Sequence, residues 1–379
     1  MKLVHVVGAR PNFMKVAPVH RAISHYAQFK QILVHTGQHY DINMSDIFFQ
    51  QLGIPAPDIN LEVGSGSHAV QTAQIMMCFE EIVLKEKPDL VLVYGDINST
   101  VAAAMVCAKL GVKVGHVEAG LRSFDRTMPE EINRLLTDQI ADLLFTPSQD
   151  GDENLLREGV AKEKIHLVGN VMIDTLVRLL PLAMERWQNG RYVMDGLTVD
   201  QDRYALVTLH RPSNVDEPVM LAEIMAALTD ISREVAVIFP IHPRTRQRLR
   251  DLNLLGPKSA NQNLRFIDPI GYLDFLALQR HAKLVITDSG GIQEETTYLN
   301  VPCLTVRENT ERPVTATMGT NILVGHDMEK LRAETRQILS GEARQGHAPP
   351  LWDGHAAERI ADILSDVLSG EVSDSRRNP

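Results

Sequence analysis

The chain has 379 residues, of which 44% are apolar and 23% charged, with a formal net charge of −10. That length exceeds one ordinary core and points to about two to three domains, while the apolar and charged shares are those of a soluble globular protein. The acidic balance excludes a duplex nucleic-acid binder, which needs a basic face, and no stretch approaches the ~20 apolar residues of a membrane span. Cys78, Cys107 and Cys303 are far apart, with no Cys-x-x-Cys pair, so buried free thiols in a reducing cytoplasm are expected.

In chain order, residues 3–7 form an apolar run closed by Gly8-Ala9-Arg10-Pro11, and residues 12–26 carry apolar positions at helical spacing. Arg10 and Lys15 are thereby placed at the carboxyl end of a first strand and the start of its helix, where anions bind in parallel sheets. A second strand at 31–35 leads into the polar loop Thr36-Gly37-Gln38-His39-Tyr40-Asp41, followed by a helix at 43–52 and a long helix at 69–85. The stretch from Val91 to Arg134 organises the rest. A strand at 91–94 stops at Gly95-Asp96, a small-residue helix spans 99–110, and a strand at 112–117 delivers Glu118-Ala119-Gly120. Pro129-Glu130-Glu131-Ile132-Asn133-Arg134 then opens another helix. Strand, helix and strand in this order read as a parallel βαβ unit. If its strands are neighbours, Asp96 and Glu118 share one crevice.

Residues 143–146 and 165–168 read as further strands, and 152–158 and 171–187 as helices. Residues 189–203 lose all periodicity and mark a domain boundary. A second α/β series follows, with strands at 205–209, 235–239, 264–267, 284–287, 302–306 and 322–324. The expected architecture is α/β: a domain over 1–190 with the carboxylates, a second over 203–355, and a C-terminal helix and frayed tail over 356–379 that packs back on the first.

Three groups of residues carry candidate chemistry. Thr287-Asp288-Ser289-Gly290-Gly291 runs from a buried strand straight into a helix, and paired glycines let the backbone and its free amides approach a phosphate or diphosphate. Glu294 and Glu295 lie one turn on, where a carboxylate accepts from ribose hydroxyls. Arg211, His242, Arg244, Arg307 and Arg312 gather near strand ends, a local cationic site in an acidic protein. Asp96, Glu118, Glu130 and Glu131 form a carboxylate group, with His210 a candidate from the second half; clustered carboxylates shift one another's pKa and separate a base from an acid. Two bland readings stand beside these. Asp96 is placed to cap the next helix, and Glu130 to pair with Arg134 four residues on. No His/Asp pair has metal-ligand spacing, so no metal is expected.

Together these pieces resemble the non-hydrolysing UDP-N-acetylglucosamine 2-epimerases over essentially the whole chain. The resemblance rests on Gly8-Ala9-Arg10-Pro11, Gly37-Gln38-His39, Tyr94-Gly95-Asp96, His116-Val117-Glu118-Ala119-Gly120-Leu121-Arg122, Pro129 to Arg134, Asp288 to Glu295 and Thr310-Glu311-Arg312-Pro313. It implies two Rossmann-like domains facing across a cleft (the GT-B arrangement), a homodimer, no cofactor, and reversible inversion of carbon 2 of a UDP-sugar for cell-surface polysaccharide precursors. By resemblance, Asp96, Glu118, Glu130 and His210 match the acid–base set, with Glu131 adjacent. Arg10, Lys15, Gln38, His39, Arg122, Arg134, His242, Ser289, Gly290, Gly291, Glu295 and Arg312 match substrate-binding positions, and the backbone near Phe275 is implied to read uracil. The chain departs from many members at Asn12, Tyr40 and 63–68. Those changes fit a branch acting on a modified sugar of the 2,3-diacetamido uronic acid type, with plain UDP-N-acetylglucosamine the first expectation and a GT-B glycosyltransferase a further alternative.

Overall fold

The computed structural model describes residues 1–37, 52–188, 190–194, 197–254 and 263–375. They divide into two compact units, Met1–Thr175 with Pro350–Pro379, and Leu176–Pro349. Each unit is built on a parallel sheet of short Val-, Ile- and Leu-rich strands, the composition expected where both faces are covered.

In the first unit the strands are β1 (Lys2–Val7), β2 (Lys30–His35), β3 (Ile59–Asn60), β4 (Leu90–Tyr94), β5 (Lys113–Val117), β6 (Leu143–Thr146) and β7 (Ile165–Leu167). Their order across the sheet is β3-β2-β1-β4-β5-β6-β7, with every neighbouring pair parallel. Val4, Val6, Val91, Val93, Val114 and Leu144 form its core with Phe79 and Val83 from the helix His68–Glu86. The chain order reverses between β1 and β4, and in such sheets ligands gather outside the carboxyl ends at that switch point. Gly8-Ala9-Arg10 and Gly95-Asp96 are the residues that follow those two strands. β5 lies directly beside β4, with Tyr94 opposite Val117. Asp96 and Glu118 therefore leave adjacent strands at the same end of the sheet.

The C-terminal helix Ala356–Ser375 belongs to this unit. Asp174 accepts from the amides of Ala356 (3.1 Å) and Ala357 (2.7 Å) and so satisfies its first turn. The Tyr26 hydroxyl bonds Asp362, Gln28 Nε2 donates to Ser365, and Trp352 Nε1 donates to the Pro147 carbonyl at 2.8 Å.

The second unit repeats the design. Its parallel sheet runs β13-β12-β11-β14-β15-β16, from β11 (Tyr204–Thr208), β12 (Ala236–Pro240), β13 (Leu264–Ile267), β14 (Leu284–Thr287), β15 (Cys303–Thr305) and β16 (Asn321–Leu323). The switch falls between β11 and β14, whose ends carry His210-Arg211 and Asp288-Ser289-Gly290.

Two elements differ from expectation. The helix Val171–Met184 ends three residues before Trp187, where β8 (Trp187–Gln188) begins, and the stretch without periodicity supplies its antiparallel partners β9 (Arg191–Met194) and β10 (Leu197–Asp200). Trp187 donates to the Ala277 carbonyl (2.9 Å) and Tyr192 to Asp274 (3.1 Å), which seats this sheet on the helix Tyr272–Arg280. Cys107 and Cys303 are buried unpaired thiols, whereas Cys78 is only half-buried, on a helix flank. No described helix is long and apolar enough to cross a membrane.

Candidate active site

In the first unit the chemistry is set by how β4 and β5 end. Glu118 adopts a left-handed backbone (φ 75°), which costs a residue with a Cβ on the order of 1–3 kcal/mol. The amides of Glu118 (3.1 Å) and Ala119 (3.0 Å) both donate to the Phe145 carbonyl, a bulge-like step that holds the strained residue and re-aims its side chain. The Glu118 carboxylate is ion-paired with Lys15, and their side chains are only 4% and 7% exposed. Lys15 comes from the helix Arg10–Ser24, so the cation is close in space though far in sequence. A Cβ on Gly95 would lie 2.6 Å from Lys15 Nζ and 3.1 Å from Glu118 Oε2, which is why that turn is a glycine at φ 63°.

Asp96, with 26% of its side chain exposed, pairs with Arg134. It does not cap the following helix, whose N-cap is Ile97 without a side-chain bond. The helix Pro129–Ile140 supplies the remaining charges. Arg134 holds Asp96 at one nitrogen and Glu131 through Nε (2.9 Å) and Nη2 (2.7 Å). Glu131 also accepts from the amides of Ser123 (3.0 Å) and Phe124 (2.9 Å). Burial would raise its carboxyl, but these amides and Arg134 hold it below the ordinary range. Both oxygens of Glu131 are thus committed to the loop and to Arg134, which leaves it poorly placed to move a proton. Glu130 is half-buried in the first helical turn. The ion pair that sequence spacing offered Glu130 is made by its neighbour Glu131.

Arg122, expected to touch substrate, is 1% exposed. It donates to both oxygens of Glu158 at 2.8 and 2.6 Å and lies 2.7 Å from Asp138, so its guanidinium is committed to the interior. Asn12 accepts from the amides of Gly8 (3.2 Å) and Ala9 (3.1 Å) and donates to the Tyr94 carbonyl (2.8 Å), tying the ends of β1 and β4 together. An ionised carboxylate at this position has no proton for Tyr94. Arg10 is the first residue of its helix, and Gln38 and His39 lie outside the described residues.

In the second unit Asp288 is 0% exposed and gathers four partners. It accepts from the amides of His210 (3.0 Å) and Arg211 (2.9 Å) and from Asn214 Nδ2 (3.0 Å), and its Oδ1 lies 2.9 Å from His210 Nδ1. Burial pushes this carboxyl up, but His210 and the other donors hold it below the usual range. An ionised Asp288 keeps the proton of His210 on Nδ1 and frees Nε2, on a ring whose side chain is 58% exposed.

The helix Gly290–Leu299 starts at Ser289, whose side chain makes no cap bond, so the first-turn amides carry no side-chain cap from it. Arg312 approaches this turn and is held by Glu311 (2.6 Å) and Glu294 (2.7 Å), while Arg307 takes the other Glu311 oxygen (2.7 Å). Burial raises Glu311, but Arg312 and Arg307 hold it well below the carboxylate range. Gly290 has no room for a side chain: a Cβ would lie 2.5 Å from Arg312 Nη1 and 2.8 Å from Glu311 Oε1. Burial pushes Glu295 up to about 7; the Tyr272 hydroxyl, 2.9 Å from its Oε1, opposes that rise and Glu294 adds to it. His242 is exposed and caps the helix Pro243–Asp251, with Nδ1 accepting from the Arg244 amide (3.3 Å). Phe275 is half-buried in the helix Tyr272–Arg280, and its amide donates to the Gly271 carbonyl (2.9 Å); Gly271 lines an open cavity of about 440 Å³ with Arg246, Phe266 and Asp268. Among the described residues no cluster of three or more His, Cys, Asp or Glu is arranged to hold a metal ion.

Two Rossmann-like units, one with carboxylates at adjacent strand ends and the other with Gly290 packed against Arg312 at its switch point, belong to a nucleotide-sugar enzyme of the GT-B-like class. Residues 21–365 match the family model described as UDP-N-acetylglucosamine 2-epimerase. A Methanocaldococcus jannaschii protein named UDP-N-acetylglucosamine 2-epimerase is 45% identical over 367 residues, 96% of this chain and 99% of that one. A Pseudomonas aeruginosa protein named UDP-2,3-diacetamido-2,3-dideoxy-D-glucuronate 2-epimerase is 43% identical over 370 residues, 97% of this chain and all of its own. The M. jannaschii enzyme crystallised with UDP-GlcNAc and UDP superposes with a TM-score of 0.85 at 43% identity, over 97% of this chain and all of that one. The chain belongs to the UDP-N-acetylglucosamine 2-epimerase family.

Sequence reasoning gave no role to His116, Asp138 or Glu158; His116 and Asp138 pair in the interior, and Arg122 links Asp138 to the part-exposed Glu158. The available signal was the charged row Glu131, Arg134 and Asp138 at helical spacing on a helix otherwise read only at its first turn.

Proposed function

We propose that this chain interconverts UDP-N-acetylglucosamine and UDP-N-acetylmannosamine by elimination and re-addition of UDP. A carboxylate base takes the carbon-2 proton; the C2–H pair forms a C1=C2 double bond as the C1–O bond breaks and UDP leaves with its electrons. UDP then re-adds to the bound 2-acetamidoglucal while a proton arrives on the opposite face.

One observation carries this reading: Glu118, strained and buried against Lys15, leaves a strand adjacent to the one that ends at Asp96. Two carboxylates with different cationic partners are what separate acid and base roles require. In this reading Asp96, Glu118 and Glu130 work on the sugar, and His210 Nε2 handles a proton near the leaving group. Glu131 and Arg122 position loops and do not touch substrate. Ser289, Gly290, Gly291 and Arg312 hold the diphosphate with Arg10 and His242, Glu295 takes the ribose, and the cavity beside Phe275 takes the uracil. Lys15 and Arg134 set the charge of their carboxylates.

A second substrate has specific support. The P. aeruginosa relative is as similar as several named for plain UDP-N-acetylglucosamine, at 43% identity. Incubation in deuterated water with each sugar, followed by NMR, decides. Deuterium at carbon 2 of an epimer mixture identifies the substrate; free ManNAc would mean hydrolysis, and unlabelled, unchanged sugar in both tubes refutes the reading.

We also propose a homodimer. Val70, Met77 and Leu84, exposed by 51%, 63% and 57%, repeat every seventh residue along the helix His68–Glu86, an apolar line suited to a second copy. Light scattering of a Met77→Glu variant tests it, with a shift to monomer expected. The three unpaired thiols fit a reducing compartment, the cytoplasm.

A further inference from the structure

We propose that His116 is a positioning residue for the epimerisation, locked as a doubly protonated imidazolium that clamps the Gly95 carbonyl and so fixes Asp96 relative to Glu118. The proposal rests on the reading above for its catalytic consequence, but its structural content stands on hydrogen-bond chemistry alone.

His116 lies on β5 and is 0% exposed. Its Nδ1 is 2.6 Å from Asp138 Oδ1, and its Nε2 is 2.8 Å from the Gly95 carbonyl oxygen. A carbonyl oxygen can only accept, so Nε2 must carry a hydrogen. A neutral ring then has no second hydrogen for Asp138, and one more proton must be shared by the pair. Asp138 is the poorer place for it. Its Oδ2 accepts from the Gly120 amide (3.1 Å) and lies 2.7 Å from Arg122 Nη1, bonds that favour the ionised carboxylate. Burial opposes that ionisation, yet His116 and Arg122 together hold Asp138 below its ordinary range. The proton therefore sits on the ring.

Charge neutrality gives the same answer. Arg122 pairs with Asp138 and with Glu158. With a neutral ring, the fully buried Asp138 would share one guanidinium with Glu158, whose side chain is 24% exposed; with an imidazolium, two cations face the two anions. Buried ions persist when paired in this way. The other charges nearby, Lys15 with Glu118 and Arg134 with Asp96, are already matched across Gly95.

The mechanical consequence follows from what Asp138 touches. Through His116 it holds Gly95, the residue before Asp96; through Gly120 it holds the loop that begins at Glu118. One carboxylate from the helix Pro129–Ile140 therefore sets both strand ends. Gly120 (φ 79°) has no room there for a side chain, since a Cβ would lie 2.5 Å from the Gly151 carbonyl oxygen. A shift near 1 Å between acid and base costs on the order of a hundredfold in rate.

The test reads the ring directly. In protein labelled with ¹⁵N in its histidine rings, the resonance that vanishes in His116→Gln should show both nitrogens carrying hydrogen at pH 7. A single neutral tautomer for that ring at pH 7 overturns the proposal. Asp138→Asn removes the carboxylate facing Nδ1 and should shift that nitrogen's resonance, and it identifies the ring should His116→Gln not fold. In kinetics, His116→Gln keeps an N–H for Gly95 and should lose about tenfold in kcat, while His116→Phe loses about a hundredfold, both with KM within twofold. Equal and small losses in the two variants overturn the positioning role. Absence of deuterium exchange in the unmodified enzyme sinks the proposed function, and the ring spectrum still decides the clamp.

Discussion

Replacing Lys15 by methionine strips the buried Glu118 carboxylate of its ion-pair partner while keeping most of the side-chain volume. With 4% and 7% exposure, neither partner can recover its lost interaction from water. Breaking a buried pair at one end costs about 3–5 kcal/mol, because the remaining charge stays in the interior without that counter-ion. Glu118→Gln leaves the mirror defect, an unpaired ammonium. The double variant carries no charge at either position, so its loss should fall short of the summed single losses by about 2 kcal/mol, a strong coupling for one pair of contacting residues. The chain has two tryptophans, Trp187 in the second unit and Trp352 in the first. In a Trp187→Phe background Trp352 fluorescence reports urea unfolding of the first unit alone, and the cycle is read there. Deuterium exchange at carbon 2 should vanish in Glu118→Gln and in the double variant, with UDP binding unchanged within threefold. Additive stabilities would deny the ion pair, and exchange within tenfold of the parent in Glu118→Gln would deny Glu118 the role of base.

Three more outcomes follow from the second unit. Glu295 has its carboxyl raised from an ordinary 4.5 to about 7, so the folded protein binds that proton more tightly than the unfolded chain. Its contribution is fully present below pH ~4.5 and is lost as pH rises through about 7; urea unfolding should show Glu295→Gln gaining on the parent across that window, by up to about 3 kcal/mol. A flat difference would mean Glu295 stays ionised. Gly290→Ala drives a Cβ to 2.5 Å from Arg312 Nη1, and calorimetry should find UDP affinity lowered about tenfold or more. His210→Asn should slow epimerisation by about a hundredfold or more with UDP affinity retained, and loss of UDP binding instead would make His210 a diphosphate ligand.

The parallel sheets and the strand-end loops were legible because their signals are local. An apolar run that halts at Gly95-Asp96 or at Asp288-Ser289-Gly290 names a buried strand and its carboxyl end without help from the rest of the chain. The sheet β8–β10 was not legible, since each strand has four residues or fewer and its burial comes from Trp187 and Tyr192 docking on a helix far along the sequence. Asn189-Gly190 and Asp195-Gly196, each between two short segments, were the available hairpin signals. The partners of the candidate residues were equally hidden. Glu118 meets Lys15 across 103 positions and Asp96 meets Arg134 across 38, separations that only the switch-point geometry closes. Spacing alone favoured Glu130 for Arg134, yet the side chain three residues back, Glu131, points along the buried face.

That helix face explains why so many charges sit beneath a site built on largely apolar strands. Glu131, Arg134 and Asp138 occupy successive turns of one helix, and all three are 2% exposed or less. Each serves a different feature of the loops above: Glu131 the amides of Ser123 and Phe124, Arg134 the side chain of Asp96, Asp138 the Gly120 amide and, through His116, the Gly95 carbonyl. An apolar stripe would stabilise the packing of this helix about as well, since buried ion pairs return little net energy over a hydrophobic replacement. What an apolar stripe lacks is direction. Hydrogen bonds fix each loop at one position and one orientation, and a reaction that removes a proton from one face and returns it to the other requires its acid and base to keep their separation through both half-reactions.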